Sequence, residues 1–103
     1  METQIENYID YLNSVKHASA NTIASYRRDL KKMSRFFADR QCTDVRELRG
    51  TDLNSYVLDM ESQGMSTATI SRSIASMKSF FLYLLKQGEI TEDYACLLYT
   101  SDA

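Results

Sequence analysis

Apolar side chains recur at alternating steps of three and four along most of this 103-residue chain, a spacing that suits helices and little else. Ile23, Tyr26, Leu30, Met33 and Phe37 show it between residues 22 and 40, and Ile70, Ile74, Met77, Phe81, Leu84 and Leu85 show it between residues 65 and 87. No alternating run of β-branched residues competes, and the chain has no proline. Ile5, Tyr8, Ile9 and Leu12 predict a first helix over residues 3–15, with Thr3 and Glu6 spaced as a capping box. Ser19 or Asn21 can cap the second helix. Residues 41–50 lack a long period and read as a connector with one helical turn around Asp44 to Leu48. Thr51 is placed to cap a third helix carrying Leu53, Tyr56, Val57 and Met60, which Gly64 closes. Ser66 then opens the fourth helix, Gly88 stops it, and Thr91, Glu92 and Asp93 look like the opening of a short last helix. The expected fold is all-α, a compact bundle of four main helices plus a short C-terminal helix.

Length and composition exclude several classes. At 44% hydrophobic and 25% charged residues, 103 residues make one globular domain with one core. No run of about 18 apolar residues occurs and Met1 is followed by polar residues, so the expectation is a cytoplasmic protein without a membrane span. Cys42 and Cys96 lack metal-ligand spacing and read as reduced thiols, and His17 stands alone in a connector. Gly-rich phosphate loops, HExxH, CxxC and GxSxG patterns do not occur. Tyr8, Tyr26 and Tyr56 lie on apolar stripes, where a core role with the hydroxyl at the edge is the default. The residues therefore give no catalytic group, no metal ligands and no cofactor.

Charge is informative once divided by segment. The chain carries −2 overall, yet residues 21–40 set Arg27, Arg28, Lys31, Lys32, Arg35 and Arg40 against Asp29 and Asp39, a surplus of +4. Residues 65–87 contain Arg72, Lys78 and Lys86 with no acid, a surplus of +3. The side of the fourth helix opposite its apolar stripe gathers Thr69, Arg72, Ser76, Ser79 and Tyr83 beside Ala68 and Ala75. A face meeting only water usually mixes both signs, whereas small hydroxylated residues around one long cation suit close approach to a polyanion. Ala and Ser also permit a second helix to pack there, so this face alone leaves both alternatives open. The third helix, with Asp52, Asp59 and Glu61, reads as structural.

Two segments, SANTIASYRRDLKKMSRFF (residues 19–37) and GMSTATISRSIASMKSFFLYLLKQGEI (residues 64–90), flank a TDLNSYV helix. In this order and separation they resemble the N-terminal core-binding domain of tyrosine recombinases of the phage-integrase and Xer type, which has a SAM-like helical fold. The resemblance covers about residues 3–95, taken here as a core-binding domain over 1–95. It implies one half of a clamp on double-stranded DNA at a core recombination site, with the second and fourth helices entering successive grooves. Carried over by position, it implies contacts from Thr22, Ser25 and Arg28 on the second helix and from Ser66, Thr69, Arg72 and Ser76 on the fourth. Lys32 and Arg35, beside Arg28, extend the phosphate-facing set. The family's catalytic residues belong to a C-terminal domain, so the chain is expected to be inactive alone and to partner such a domain in a longer enzyme. That enzyme is expected to oligomerise on DNA, and the domain alone to be monomeric. Asp93-Tyr94-Ala95 departs from the family's frequent Asn-Pro-Ala, and CLLYTSDA over 96–103 is expected to be a disordered or non-native tail. The rival reading is a helical protein-interaction domain that receives an acidic partner on the small, basic face of its fourth helix. A standalone helix-turn-helix regulator fits poorly, because a whole helix separates the two basic ones where such motifs use a turn of about 3–4 residues.

Overall fold

In the computed structural model, which describes residues 1–92, the chain forms α1 (Glu2–Ser14), α2 (Ala20–Asp39), a single 3-10 turn (Val45–Glu47), α3 (Gly50–Ser62) and α4 (Thr67–Lys86). All the described secondary structure is helical. Asp44 caps the turn by accepting the Arg46 N–H at 2.9 Å. Thr91 and Glu92 make a bend, and the remainder of the expected last helix and tail lies outside the described residues.

The helices start and stop largely where local chemistry directs. Ser19, not Asn21, caps α2, and Ser66 caps α4. Two expected starts move. No side-chain cap forms at Thr3, because α1 begins at Glu2 and Glu6 is drawn instead toward α2. At α3 the cap sits two residues before Thr51, where the Arg49 N–H donates to Asp52 Oδ2 at 2.9 Å. Gly64 (φ 77) and Gly88 (φ 76) turn α3 and α4 off in the left-handed region. Gln41 (φ 63) does the same for α2, with Cys42 N–H returning to Phe37 O at 2.8 Å.

One core joins all the elements. α1 packs on α2 and α4, α2 on α4, and α3 on α4. Ile5, Tyr8, Leu30, Met33, Leu53, Phe80, Phe81 and Leu84 are fully excluded from solvent, and Val45 and Leu48 bring the 3-10 turn into the same cluster. Tyr56 of α3 reaches α2, its ring 5.0 Å from Phe36 and 6.1 Å from Phe37. Burial of α4 is broader than its apolar stripe. Ser73, Ser76 and Phe80 are buried beside Ile74, Met77 and Phe81, because α4 has neighbours on more than one side.

Candidate nucleic-acid interface

The two longest helices begin with the same device. In α2 the Thr22 N–H donates to Ser19 Oγ at 3.2 Å, while the Ser19 hydroxyl donates to Thr22 Oγ1 at 2.9 Å. In α4 Ser66 and Thr69 repeat both contacts at 3.2 and 2.9 Å. Neither helix carries an acid in its first turn, whereas α1 has Glu2 and α3 has Asp52 there. The positive ends of α2 and α4 are thus left uncompensated by side chains of their own first turns.

Along α2 the cations divide by whether an acid pairs with them. On the α1 side, Glu6 takes both Arg27 (Nη2 to Oε1, 3.4 Å) and Lys31 (Nζ to Oε2, 3.2 Å). Arg28, Lys32 and Arg35 are exposed and form no ion pair among the described residues. Ser25 and Thr22, half-buried, lie four and seven positions before Asp29, a spacing that puts them on the same side of the helix as that carboxylate. Farther along, Arg40 stacks over the Phe36 ring at 4.1 Å.

Asp29 joins α2 to α4. Its carboxylate accepts from Arg72 Nε at 2.9 Å and from Arg72 Nη2 at 3.1 Å, a two-pronged pair. The carboxyl side chain is 2% exposed and the arginine side chain 42%. Bonded to this carboxylate, the guanidinium is held above its ordinary pKa range. Arg72 is therefore anchored, where the sequence suggested a side chain surrounded only by small residues.

Three of the residues placed on the outer side of α4 face inward. Ser76 is fully buried and donates to its own helix at Ser73 O, 2.7 Å away, so it is corrected from the solvent-facing set. Ser79 accepts the Tyr8 hydroxyl at 2.6 Å, and Tyr83 packs its ring 5.5 Å from Tyr8 and 4.9 Å from Tyr11. For these positions helix packing, the alternative left open by the small residues, is what the fold uses. The exposed strip of α4 is instead Ala68, Ser71, Arg72, Ala75, Leu82 and Lys86, with Ser66 exposed and Thr69 half-buried at its start. Sequence reasoning missed Ser71, which the true orientation of the helix brings out. It also missed the roles of Glu6 and Asp29, which only the packing of three helices reveals.

A family model described as "Phage integrase, N-terminal SAM-like domain" matches residues 5–88. A protein of Herpetosiphon aurantiacus named tyrosine recombinase XerC is 35% identical over 91 residues, covering 88% of this chain and 30% of that protein. Proteins of the same name from Roseiflexus castenholzii and Listeria innocua are each 30% identical over 93 residues, covering 90% and 89% of this chain. The chain spans 30–31% of the length of these relatives. No solved structure matches it.

Proposed function

Because the chain belongs to the phage-integrase N-terminal SAM-like domain family, we propose that it is the DNA-gripping module of a site-specific tyrosine recombinase, non-catalytic by itself. It holds duplex DNA at a core recombination site through α2 and α4, and the cutting and rejoining chemistry belongs to a C-terminal catalytic domain of the parent enzyme. The observation that carries this reading is the sorting of charge on α2. Glu6 pairs with Arg27 and Lys31, and Arg28, Lys32 and Arg35, exposed and without an ion pair among the described residues, are left for a polyanion.

Each residue has a distinct part. Arg28, Lys32 and Arg35 hold backbone phosphates, which supply affinity and register without reading sequence. Thr22 and Ser25 on α2, with Ser66 and Thr69 on α4, present hydroxyls near two helix starts whose N–H groups favour phosphate oxygens. Arg72 stands where α4 meets α2, next to a strip of short side chains that lets the helix backbone approach a groove.

Titration of labelled duplexes over a range of salt concentrations tests the assignment. Arg28→Ala with Lys32→Ala removes two phosphate contacts, so the magnitude of the log K against log salt slope falls by about 1.8, with similar weakening on every sequence. Arg27→Ala, already paired with Glu6, changes the slope less. Absence of salt-dependent binding by the unaltered protein to any duplex rejects the reading, and protection of Ser71, Arg72 and Ala75 by an acidic protein would put the protein-interaction reading in its place.

A further inference from the structure

We propose that Asp29 is a positioning residue for DNA recognition, holding Arg72 so that the outer edge of its guanidinium meets the paired acceptors of a guanine in the groove. This inference rests on the DNA-binding reading above and adds to it a residue that sequence comparison by position did not select.

Its starting point is an anomaly on α2. A helix with five basic residues buries one carboxylate almost completely, and among the described residues its only side-chain partner is Arg72. The pair uses Nε and Nη2, the side-on edge of the guanidinium. Among the described residues nothing bonds the end-on edge, formed by Nη1 and the second hydrogen of Nη2. Arg72 remains 42% exposed while Asp29 is 2% exposed, so the pair leaves part of the guanidinium open to a ligand. Ala68 and Ala75, at four positions before and three after Arg72, and Ser71 next to it are all exposed and too short to screen that edge.

A free arginine loses several rotatable bonds when it binds, and Asp29 has already removed most of that freedom. The edge it leaves presents two parallel donors in a plane, which match O6 and N7 of guanine, the commonest arginine contact in the major groove. Arg28, Lys32 and Arg35 lack such a brace and remain adaptable, as contacts to a continuous row of phosphates require. A carboxylate within the basic surface thus lowers the total positive charge and increases its selectivity.

The experiment begins by selecting preferred duplexes from a pool with a randomised centre, using the unaltered 103-residue protein. The protein, Asp29→Asn and Arg72→Lys are then titrated on the enriched duplex, on a scrambled one, and on copies in which single guanines are replaced by 7-deazaguanine. The unaltered protein is expected to lose about tenfold in affinity at one substituted guanine. Asp29→Asn is expected to lose that penalty and about tenfold of the discrimination between enriched and scrambled duplexes, with its salt slope unchanged. Arg72→Lys keeps the charge without the fork and is expected to behave in the same way, so the test survives a poorly folded Asp29 variant. Retention of the full 7-deazaguanine penalty by either folded variant overturns the inference while the DNA-binding reading stands. A reduced salt slope with discrimination intact also overturns it, since Arg72 would then hold a phosphate. Failure of the unaltered protein to enrich or bind any duplex removes both.

Discussion

Tyr8 and Tyr56 show how far a single phenol can be shaped by its surroundings. Tyr8 has no exposed surface, and burial, opposed by its bond to Ser79, pushes its pKa up to about 12. Tyr56 is 4% exposed and is also raised to about 12, by burial first and then by Asp29 and Asp59. Each fold-bound phenol thus stays neutral where an unfolded one, with a pKa of about 10, would ionise. The stability they confer is complete below about pH 10 and is lost progressively as the pH rises toward about 12. Denaturant midpoints should fall across that interval, and less steeply in Tyr56→Phe; equal slopes would assign the alkaline loss to other groups. Tyr8 and Tyr56 were readable as core residues from spacing alone. Ser76 was not, because a serine inside a helix can satisfy its hydroxyl on its own backbone, as Ser76 does on Ser73, and so can be buried without a visible cost. Phe80 hid for the opposite reason: next to Phe81 it widens the buried sector beyond one stripe, and its place follows from the ring of Tyr8 at 5.5 Å.

Helix ends carry a similar contrast. Ser66, Gly64 and Gly88 announced their roles in the sequence, since the side chain of a cap residue and the missing side chain of a glycine are themselves the mechanism. Gln41 announced nothing, because a glutamine in the left-handed region is held there by the chain around it. The structure supports two opposite expectations. Gln41→Gly should stabilise the protein by about 0.5–1 kcal/mol, the relief of backbone strain less the added freedom of the unfolded chain. Gly64→Ala should destabilise it by about 1 kcal/mol even though an added Cβ would meet nothing within 4 Å, because the cost lies in φ and not in space. Thermal or urea melts of both variants decide the matter; a neutral Gly64→Ala would mean that the turn readily adopts another conformation. The box expected at Thr3 and Glu6 failed for a reason outside the helix itself. Glu6 sits opposite Arg27 and Lys31, a pairing across elements that no pattern within α1 could disclose.

For the whole molecule the decisive fact is a single core shared by α1, α2, α3, α4 and the intervening 3-10 turn. Phe81→Ala, at a site with no exposed surface, should cost about 3–5 kcal/mol and shift the far-ultraviolet and tyrosine near-ultraviolet transitions together. Separate transitions would mean that α3 unfolds independently of the rest. The all-helical bundle and its order of elements were legible because period and caps act locally. The division of the basic surface was legible only by segment, since net charge along α2 says nothing about which cations an acid on α1 has taken. The pair between Asp29 and Arg72, 43 positions apart, was not legible at all, and it restricts how this chain can change over generations. If Asp29 is lost first, the survivor is a guanidinium that water can reach; if Arg72 is lost first, the survivor is a carboxylate sealed in the protein with nothing to balance it. The two substitutions lead to the same end state by unequal routes, so descent through one order is open and through the other is nearly closed.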